Sequence, residues 1–357
     1  MKPQINKEKI FPNGKLLIPS EFRSELDLRE TEKAIKFIKD SFQRRLAKEL
    51  NLLRVSAPIV VLTKTGINDY LTGNEVPVSF HIKDTEEQAE IVQSLAKWKR
   101  VALSDYGFRK DEGLYTDMNA IRPDEYLDNL HSIYVDQWDW EIVIDKQERN
   151  IEFLKKIVRI IYSVIRDIEK DVCSRYSQIC NPYLPDEICL IHSEELAERY
   201  PELSPQEREN AICREKKAVF IIGIGAMLAD GKPHDERAAD YDDWITETDN
   251  GRKGLNGDIL VWYPVLDCAI ELSSMGIRVN RDSLLRQLEI KNERHRIDDY
   301  YHRRLLNNEL PLSIGGGIGQ SRLCMFYLRK VHIGEVQSSI WPDEMKKECL
   351  RNNILLL

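Results

Sequence analysis

An arginine that follows a run of glycines is the first feature of the sequence that could bind a phosphate. Residues 311–328 read PLSIGGGIGQSRLCMFYL, and Arg322 comes three residues after Gly319, where an apolar helix is predicted to begin. The run does not fit the dinucleotide fingerprint, because Gln320 stands at its last glycine position, and it lacks the Gly-Lys-Ser/Thr of a P-loop. Glycines let a backbone approach a ligand closely, and a helix start offers free N–H groups to an anion. The segment is therefore interpreted as a loop that either contacts a nucleotide through Arg322 or only leads into a buried helix.

Two carboxylates in the preceding segment are candidates for a magnesium site. Asp258 opens the run DILVWYPV, which is rich in β-branched and aromatic residues, and Glu271 follows it by thirteen residues. Carboxylates on neighbouring strands could hold Mg²⁺ jointly with nucleotide phosphates, because Mg²⁺ commonly uses one or two protein carboxylates. The alternative is that both are surface or capping acids.

A third candidate is the strand-like run YVDQWDW, in which side chains alternate between two faces. Gln137 and Asp139 fall on one face, and Trp138 and Trp140 fall on the other. An amide and a carboxylate on one face could bind a small polar ligand, although an ordinary solvent-exposed face would show the same pattern. Arg122 lies upstream, before Pro123, where the chain is expected to be extended.

The elements that must position these residues are predicted from periodicity and capping signals. Residues 31–50 place Ile35, Ile38, Phe42 and Leu46 on one helical face, with Thr31 as the N-cap. Pro58 interrupts the strand-like run LLRVSAPIVVL. Residues 151–172 form a long amphipathic helix, and Ser204, Pro205 and Glu207 begin another through a capping box. The order shows no regular βαβ alternation, which favours an α+β fold with a mostly antiparallel sheet.

The domain organisation is predicted from the periodicity and composition along the chain. Residues 1–30 are polar and mixed without a sustained period, and they are interpreted as an N-terminal extension that is poorly ordered or peripheral. Residues 31–357 contain no internal repeat, low-complexity tract or obvious linker, and they are interpreted as one domain.

Composition narrows the class of protein. The net charge of -8 argues against general nucleic-acid binding, which needs a basic stripe. No apolar run reaches the roughly 18 residues of a transmembrane helix, and the N-terminus lacks the apolar core of a secretory signal. The seven cysteines are scattered without a CxxC pair, which fits a reducing cytosol better than a disulfide framework or a zinc site.

Taken together, the motifs resemble those of the ammonia-dependent aspartate–ammonia ligases, the asparagine synthetase A family. The resemblance extends over about residues 31–345 and rests on SLAKWKR, EGLYT, RPDE, HSIYVDQWDWE, DYDDW, GLNGDILVW, ELSSMGIRV and GGGIGQSRL. It implies an antiparallel sheet flanked by α-helices, as in class II aminoacyl-tRNA synthetases, and a homodimer. The reaction it implies joins aspartate and ammonia at the expense of ATP with Mg²⁺, through a β-aspartyl-adenylate, and releases AMP and pyrophosphate.

The resemblance also implies roles for individual residues. Arg122 would contact the carboxylate and the α-phosphate, and Gln137 would position the reacting group. Asp69 would bind the α-amino group of aspartate or the incoming ammonium, whose proton it could accept. The remaining aspartate contacts would be Ser94, Lys99, Asp139, Asp242 and Ser274. In addition to Arg122, the contacts to ATP would be made by Ser132, Asp258, Glu271, Arg278, Gly317 and Arg322. Asp258 and Glu271 would also bind Mg²⁺.

The sequence departs from the family pattern at two places, and three alternative functions have to be compared with that of a ligase. Gln93 stands where the family often has histidine, and the segment around Asp69 is less glycine-rich than usual. A tRNA synthetase would need an anticodon-binding domain that residues 1–30 cannot supply, and a glutamine-dependent enzyme would need an N-terminal cysteine nucleophile where Lys2 stands. A regulatory paralogue that only binds ligand need not keep both halves of an adenylation site. We therefore expect an active cytoplasmic ligase with no nucleic-acid or membrane partner.

Overall fold

The computed structural model describes residues 5–11, 14–20, 22–71, 75–179, 181–248 and 251–357. The strands are, in chain order, β1 (Ile5–Phe11), β2 (Gly14–Pro19), β3 (Leu52–Arg54), β4 (Val60–Leu62), β5 (Ser79–Ile82), β6 (Glu87–Ile91), β7 (Gly113–Ile121), β8 (Tyr134–Val143), β9 (Cys189–His192), β10 (Ala218–Ile222), β11 (Asn256–Tyr263), β12 (Cys268–Ile277) and β13 (Ser313–Gly319). The α-helices are α1 (Leu28–Glu49), α2 (Ala96–Asp105), α3 (Ile151–Arg175), α4 (Ser193–Arg199), α5 (Pro205–Lys216), α6 (Arg281–Ile290), α7 (Tyr300–Leu306), α8 (Gln320–Tyr327) and α9 (Asp343–Arg351).

A large mixed sheet forms the centre of the molecule. Across the described residues its eight strands follow the order β3-β7-β8-β13-β12-β11-β10-β9. The pairs from β7 to β10 are antiparallel, and the outer strands β3 and β9 run parallel to their neighbours. A smaller sheet of order β4-β6-β5 and the hairpin β1-β2 lie apart from it. The α+β fold with a mostly antiparallel sheet is thus confirmed.

Helices α1 and α3 cover one face of the central sheet. The predicted apolar face of α1 is buried, and its Phe42 ring stacks on Trp138 of β8 with the centroids 4.5 Å apart. Burying a side chain of this size contributes about 1.5–3 kcal/mol. Along β8, Trp138 and Trp140 belong to this core, whereas Gln137 and Asp139 line a cavity on the other side. The predicted alternation is confirmed, and the polar face of the sheet is the side left for a ligand.

The glycine run is a strand, which corrects the prediction of a loop. Residues Ser313–Gly319 form β13 between β8 and β12, and α8 begins at Gln320. A Cβ atom on Gly315 would stand 1.8 Å from Glu141 Oε2, and one on Gly317 would stand 2.3 Å from Gln137 Oε1. The glycines therefore leave room for the polar side chains of β8. Glycine is depleted in strands because it has no side chain to pack, and that rule produced the wrong prediction.

Of the two predicted helix starts, that of α5 is confirmed and the N-cap of α1 is wrong. The capping box of Ser204 and Glu207, with Pro205 in the first turn of α5, is confirmed. The N-cap of α1 is Asp27 and not Thr31, since α1 begins earlier and the Asp27 carboxylate accepts the N–H of Glu30. Thr31 is instead buried in the first turn, where its hydroxyl accepts a hydrogen bond from Lys330 Nζ at 3.0 Å.

The chain before α1 carries more structure than its sequence pattern suggested. In the hairpin β1-β2, Leu16 and Ile18 are buried in the main core. Asn129 fastens the hairpin to the domain, because its side chain accepts the N–H of Leu17 at 2.7 Å and donates to the carbonyl of Leu17 at 2.9 Å. Helix α1 also runs across residue 30. The division into an extension and a single domain of residues 31–357 stays a prediction.

Candidate active site

A cavity of about 460 Å³ opens on the polar face of the central strands. Such a volume lies within the range of about 300–1,000 Å³ typical of small-molecule sites. All the site residues predicted from the sequence line it except Asp69 and Asp258. The predicted residues that line it are Ser94, Lys99, Arg122, Ser132, Gln137, Asp139, Asp242, Glu271, Ser274, Arg278, Gly317 and Arg322.

One part of the cavity, which we call the paired end, is built from buried ion pairs. It comprises Lys99, Asp139, Glu141, Asp242 and Arg278. Lys99 Nζ donates to the carbonyl of Gly316 at 2.8 Å and lies 3.3 Å from Asp139 Oδ2. Burial lowers the pKa of Lys99 from its usual value, against the effect of the Asp139 carboxylate.

Arg278 is the centre of the paired end. Its Nε donates to Glu141 Oε1 at 2.9 Å, its Nη2 donates to Glu141 Oε2 at 2.8 Å, and its Nη1 donates to Asp242. Although burial alone would lower it, the two carboxylates hold the pKa of Arg278 above its usual range. A guanidinium committed in this way fixes Glu141 and Asp242 in place. The predicted contact of Arg278 with ATP would have to be made in addition to these bonds.

The other part of the cavity, the open end, is lined by Arg122, Arg237, Glu271 and Arg322, and Asp258 lies next to it as the partner of Arg237. Arg122 donates weakly to the carbonyl of Gln93 at 3.3 Å, and Arg322 donates to the carbonyl of Glu271 at 3.1 Å. Arg322 also lies 3.8 Å from the Glu271 carboxylate. Burial and the positive charge of Arg322 lower the pKa of Arg122. Two guanidiniums bonded mainly to carbonyl oxygens can offer their charge to a phosphate.

The two predicted magnesium ligands lie at the open end but face a second cavity of about 290 Å³. This cavity shares Asp235, Glu271 and Arg322 with the first. Asp258 accepts a hydrogen bond from Arg237 through Oδ2, while its buried Oδ1 has no partner among the described residues. Desolvation and the nearby Asp258 carboxylate raise the pKa of Glu271.

These carboxylates fit a cation that is shared with a ligand. An unpartnered buried oxygen and a second carboxylate supply hard oxygen donors of the kind that Mg²⁺ prefers. Within the described ranges, no group of three or more His, Cys, Asp or Glu side chains is placed to hold a metal ion. Asp258 and Glu271 would therefore bind Mg²⁺ together with phosphate oxygens, and not as a complete protein site.

Asp69 lies behind the cavity wall. It is 1% exposed, and although the Ser94 hydroxyl lies close enough to oppose the rise in its pKa, neither carboxylate oxygen has a well-formed hydrogen bond among the described residues. Lys97 Nζ is 3.9 Å from Asp69 Oδ1. Burial raises the pKa of Asp69, and its charge is felt by Tyr241, which lines the cavity. An unpaired carboxylate in this position is suited to accept a proton.

The remaining predicted residues have protein partners within the site. Ser132 shares a hydrogen bond of 2.7 Å with Ser339, and Ser274 accepts from Arg237 Nη2 at 3.3 Å. Gln137 and Asp139 project over Gly317 on the polar face of β8. Ser94 precedes α2 and accepts the N–H of Ala96 at 3.1 Å. All five side chains thus face the space in which a ligand would lie.

Several cavity residues were missed in the sequence. Arg237, Tyr241 and Asp235 come from residues 234–244, an irregular stretch between β10 and β11 in which no helix or extended strand is described. This stretch, HDERAADYDDW, is unusually dense in charged residues, but only Asp242 was predicted from it as a site residue. Because it has no period, the sequence could not show which of its side chains face the cavity.

The sheet, the flanking helices and the cavity define an enzyme with the class II aminoacyl-tRNA synthetase fold. An asparaginyl-tRNA synthetase from Entamoeba histolytica in complex with asparaginyl-adenylate is similar to 87% of this chain, with a TM-score of 0.63 and 13% identity. The corresponding complex from Pyrococcus horikoshii matches 88% of the chain with a TM-score of 0.60 and 16% identity. The chain covers 66% and 70% of those synthetases, and the likeness confirms the fold.

The chain belongs to the aspartate–ammonia ligase family. Residues 29–353 match the family model AsnA, described as aspartate-ammonia ligase. Relatives named aspartate–ammonia ligase from Bacteroides fragilis and Clostridium perfringens are 57% identical over 343 and 344 residues. Each alignment covers 96% of this chain and 99% of the relative. The resemblance stated from the sequence motifs, and the carbon–nitrogen ligase class it implies, are thereby confirmed.

Proposed function

We propose that the chain makes L-asparagine from L-aspartate, ATP and ammonia through a β-aspartyl-adenylate, releasing AMP and pyrophosphate. The observation that carries the proposal is that a single cavity joins the paired end, suited to a small zwitterion, to the open end, suited to phosphates. Membership of the aspartate–ammonia ligase family and a fold shared with adenylate-bound synthetases support it.

In the first step the paired end would hold aspartate. The ammonium of Lys99 faces the cavity beside Asp139 and can neutralise the α-carboxylate. Asp139 and Asp242 are buried acceptors that favour the α-ammonium group. Gln137, on the same face of β8 as Asp139, can donate its amide N–H to the β-carboxylate. Such positioning lowers the barrier by placing the reacting oxygen before ATP binds productively.

Adenylation would then take place at the open end. A β-carboxylate oxygen attacks the α-phosphorus of ATP, the bond to the bridging oxygen breaks, and pyrophosphate leaves. Arg122 and Arg322 stabilise the negative charge that grows on the phosphoryl oxygens. Mg²⁺, bound by Asp258 and Glu271 with the phosphates, would neutralise further charge when present. Ser132, Arg278 and Gly317 complete the wall of this cavity.

In the second step ammonia displaces AMP. The nitrogen lone pair forms a bond with the β-acyl carbon, and the acyl–phosphate oxygen bond breaks as AMP departs. The nitrogen then gives its extra proton to the departing phosphate, which leaves the neutral amide. The nucleophile must be neutral ammonia, so that a proton has to leave ammonium first. Asp69 is the buried carboxylate that lacks a hydrogen-bonded partner beside the cavity, and we assign it as the acceptor. Water must stay excluded until the C–N bond has formed, because it would hydrolyse the adenylate.

We also propose a homodimer in the cytoplasm. Large apolar side chains are exposed on the structure, among them Leu53, Ile59 and Tyr126, and burial in a subunit interface would remove them from water. Free thiols are present at Cys189, Cys213, Cys268, Cys324 and Cys349, as is usual in a reducing compartment. No helix in the described part of the chain is long and apolar enough to span a bilayer. Light scattering of the purified chain would test the dimer, since a monomeric mass would contradict it.

The deciding experiment measures aspartate-dependent pyrophosphate release with and without ammonium. We expect release with both substrates, accompanied by asparagine and AMP in equal amounts when ammonium is present. Clean aspartate binding without pyrophosphate release in either condition would instead indicate a regulatory binding protein. Tight tRNA binding with aminoacylation would indicate a synthetase and would contradict the expectation that no nucleic acid is a partner.

A further inference from the structure

Behind the cavity, four segments of the chain meet at one buried carboxylate, Asp240. It is 1% exposed and lies between β10 and β11. Its Oδ2 is 3.0 Å from Lys97 Nζ of α2 and 2.6 Å from Arg296 Nη2 of the turn before α7. The ring of His302 in α7 also approaches it, with Nε2 at 3.2 Å. None of these four side chains lines the cavity, so that direct contact with the substrates does not explain them.

Lys97 lies between the carboxylates of Asp69 and Asp240 and is closer to Asp240. It forms a hydrogen bond with Asp240 at 3.0 Å, whereas Asp69 Oδ1 is 3.9 Å away, outside hydrogen-bond distance. Asp69 is held from the other side, because its N–H donates to Asn68 Oδ1 at 3.0 Å, and Asn68 also accepts the N–H of Gln93. The backbone of Asp69 is therefore fixed while its carboxylate stays without a close cation.

The pKa values of Asp240 and Asp69 are shifted in opposite directions, as the different distances of Lys97 would produce. Against the effect of burial, Lys97 and Arg296 hold the pKa of Asp240 well below its usual value. Burial raises the pKa of Asp69, and the cations Lys97 and Arg296 oppose this only in part. Two neighbouring acids whose environments push their pKa values apart are typical of a site in which one acid is structural and the other accepts a proton.

We infer that Asp240 is a positioning residue for Asp69: by holding Lys97 in a closer ion pair, it keeps the Asp69 carboxylate unpaired and able to accept the proton of ammonium. This inference rests on the proposed function, in which ammonia is the nucleophile. The proton moves from ammonium nitrogen to an Asp69 carboxylate oxygen, which leaves the nitrogen lone pair for attack on the acyl carbon. The charged or titratable groups that surround Asp69 are Lys97 on α2, Asp240 and Tyr241 on the segment before β11, and Arg296 on the turn before α7.

The test uses two substitutions that should move the pH dependence of ammonia use in opposite directions. In Asp240→Asn, Lys97 and Arg296 lose their anion and Asp69 becomes the nearest partner, so that the acidic limb of kcat/KM for ammonium shifts to lower pH. In Lys97→Gln, Asp69 loses its nearest cation, and the limb shifts to higher pH. A charge at this distance moves a pKa by about one unit or more, which sets the expected size of each shift. A merely structural role would not produce opposite shifts.

A second assay separates ammonia use from aspartate binding. Aspartate-dependent ATP–pyrophosphate exchange without ammonium should keep its wild-type pH profile in both variants, because Asp69 is assigned to the second step. Equal shifts in the exchange assay would show that Asp69 serves the α-amino group of aspartate and would overturn the inference. Shifts that are absent, or that have the same sign in the two variants, would overturn it as well. Absence of any ammonium-dependent product in the wild type would instead contradict the proposed function itself.

Two further variants guard against effects of folding. Asp240→Asn leaves two buried cations without their anion, which can cost several kcal/mol of stability. The double variant Asp240→Asn/Lys97→Gln removes one cation together with the anion, and its acidic limb should return toward that of the wild type. Glu169→Gln is the matched control, since Glu169 is a buried carboxylate paired with Arg329 at 2.7 Å and does not line the cavity. Its acidic limb should not move, and a shift there would contradict the specific role of Asp240.

Discussion

The two ends of the cavity hold their charges in different ways. At the paired end, Lys99, Asp139 and Arg278 are no more than 3% exposed and bind one another or the backbone. At the open end, Arg322 is 25% exposed and donates to a carbonyl oxygen. The paired end has its partners before any ligand arrives. At the open end Arg237 is already paired with Asp258, whereas Arg122 and Arg322 are cations whose best partners would be phosphates. Under the proposed function, the chain would preorganise the amino-acid site and leave the nucleotide site to be completed by ATP.

The largest expected effect comes from the open end. Arg122→Ala removes a guanidinium placed to stabilise charge that develops only during adenylation, and loss of one such donor typically costs about 10²–10³ in kcat. We expect a fall of at least that size in ATP–pyrophosphate exchange, with an unchanged melting temperature. The fold should survive because the structure gives Arg122 only weak bonds, to the carbonyl of Gln93.

The matched control for Arg122→Ala is Arg54→Ala. Arg54 is an exposed arginine that pairs with Asp117 at the outer strand β3, away from the cavity. It should retain wild-type turnover, since exposed ion pairs contribute about 0–1 kcal/mol. Turnover that is unchanged in Arg122→Ala would remove this residue from the mechanism.

A pair of glycine substitutions compares the rigidity of the two ends. In Gly315→Ala the new Cβ would lie 1.8 Å from Glu141 Oε2, so that Glu141 must move away from Arg278 and Ser313. Breaking a buried pair of this kind costs about 3–5 kcal/mol, and we expect a large drop in the free energy of unfolding. In Gly319→Ala the nearest atom is Arg322 Cβ at 3.3 Å, and the loss should stay below about 1 kcal/mol. Urea denaturation of both variants measures the difference, and equal losses would contradict the proposed contrast.

Features that depend on neighbouring residues could be predicted from the sequence. The alternation in YVDQWDW predicts which side chains of β8 meet the core and which meet the ligand, because a strand turns successive side chains to opposite faces. The capping box at Ser204 was equally readable, since it depends on residues three apart. The family motifs supplied the site residues, and the cavity brings all of them together except Asp69 and Asp258.

The features that the sequence did not show depend on contacts between distant segments. The glycines of β13 looked like a loop because their reason for being glycine lies in the side chains of β8, more than 170 residues earlier. The ion pair of Lys97 with Asp240 joins residues 143 positions apart, and no local period signals it. Arg237 lies in an irregular segment, so that only the fold shows that it bonds Asp258 and Ser274.

A smaller effect on ATP binding is expected from Arg322→Ala. Its guanidinium is partly exposed at the open end, and a hydrogen bond to a charged group is worth about 1.5–3 kcal/mol. The KM for ATP should therefore rise by roughly tenfold or more, while the KM for aspartate should change much less. Initial rates of ATP–pyrophosphate exchange measured over both substrates give the two constants. A rise confined to the KM for aspartate would show that the two ends are assigned the wrong way round.

The smallest expected effect is a difference in pH dependence between the two ends, which arises at Lys99. Burial lowers the pKa of Lys99, so that it loses its proton at a lower pH than an exposed lysine. As pH rises through this range, the cation beside Asp139 disappears, and the α-carboxylate of aspartate loses its counter-charge. The KM for aspartate should therefore rise severalfold on the alkaline side. The KM for ATP should stay flat, because arginine side chains keep their charge at these pH values.

The α-amino group of aspartate also titrates on the alkaline side, but that contribution is common to the wild type and Lys99→Arg. In the variant the part due to Lys99 should vanish, since arginine remains protonated. An alkaline rise that persists unchanged in Lys99→Arg, or a parallel rise in the KM for ATP, would show that the charge of Lys99 is not what distinguishes the paired end.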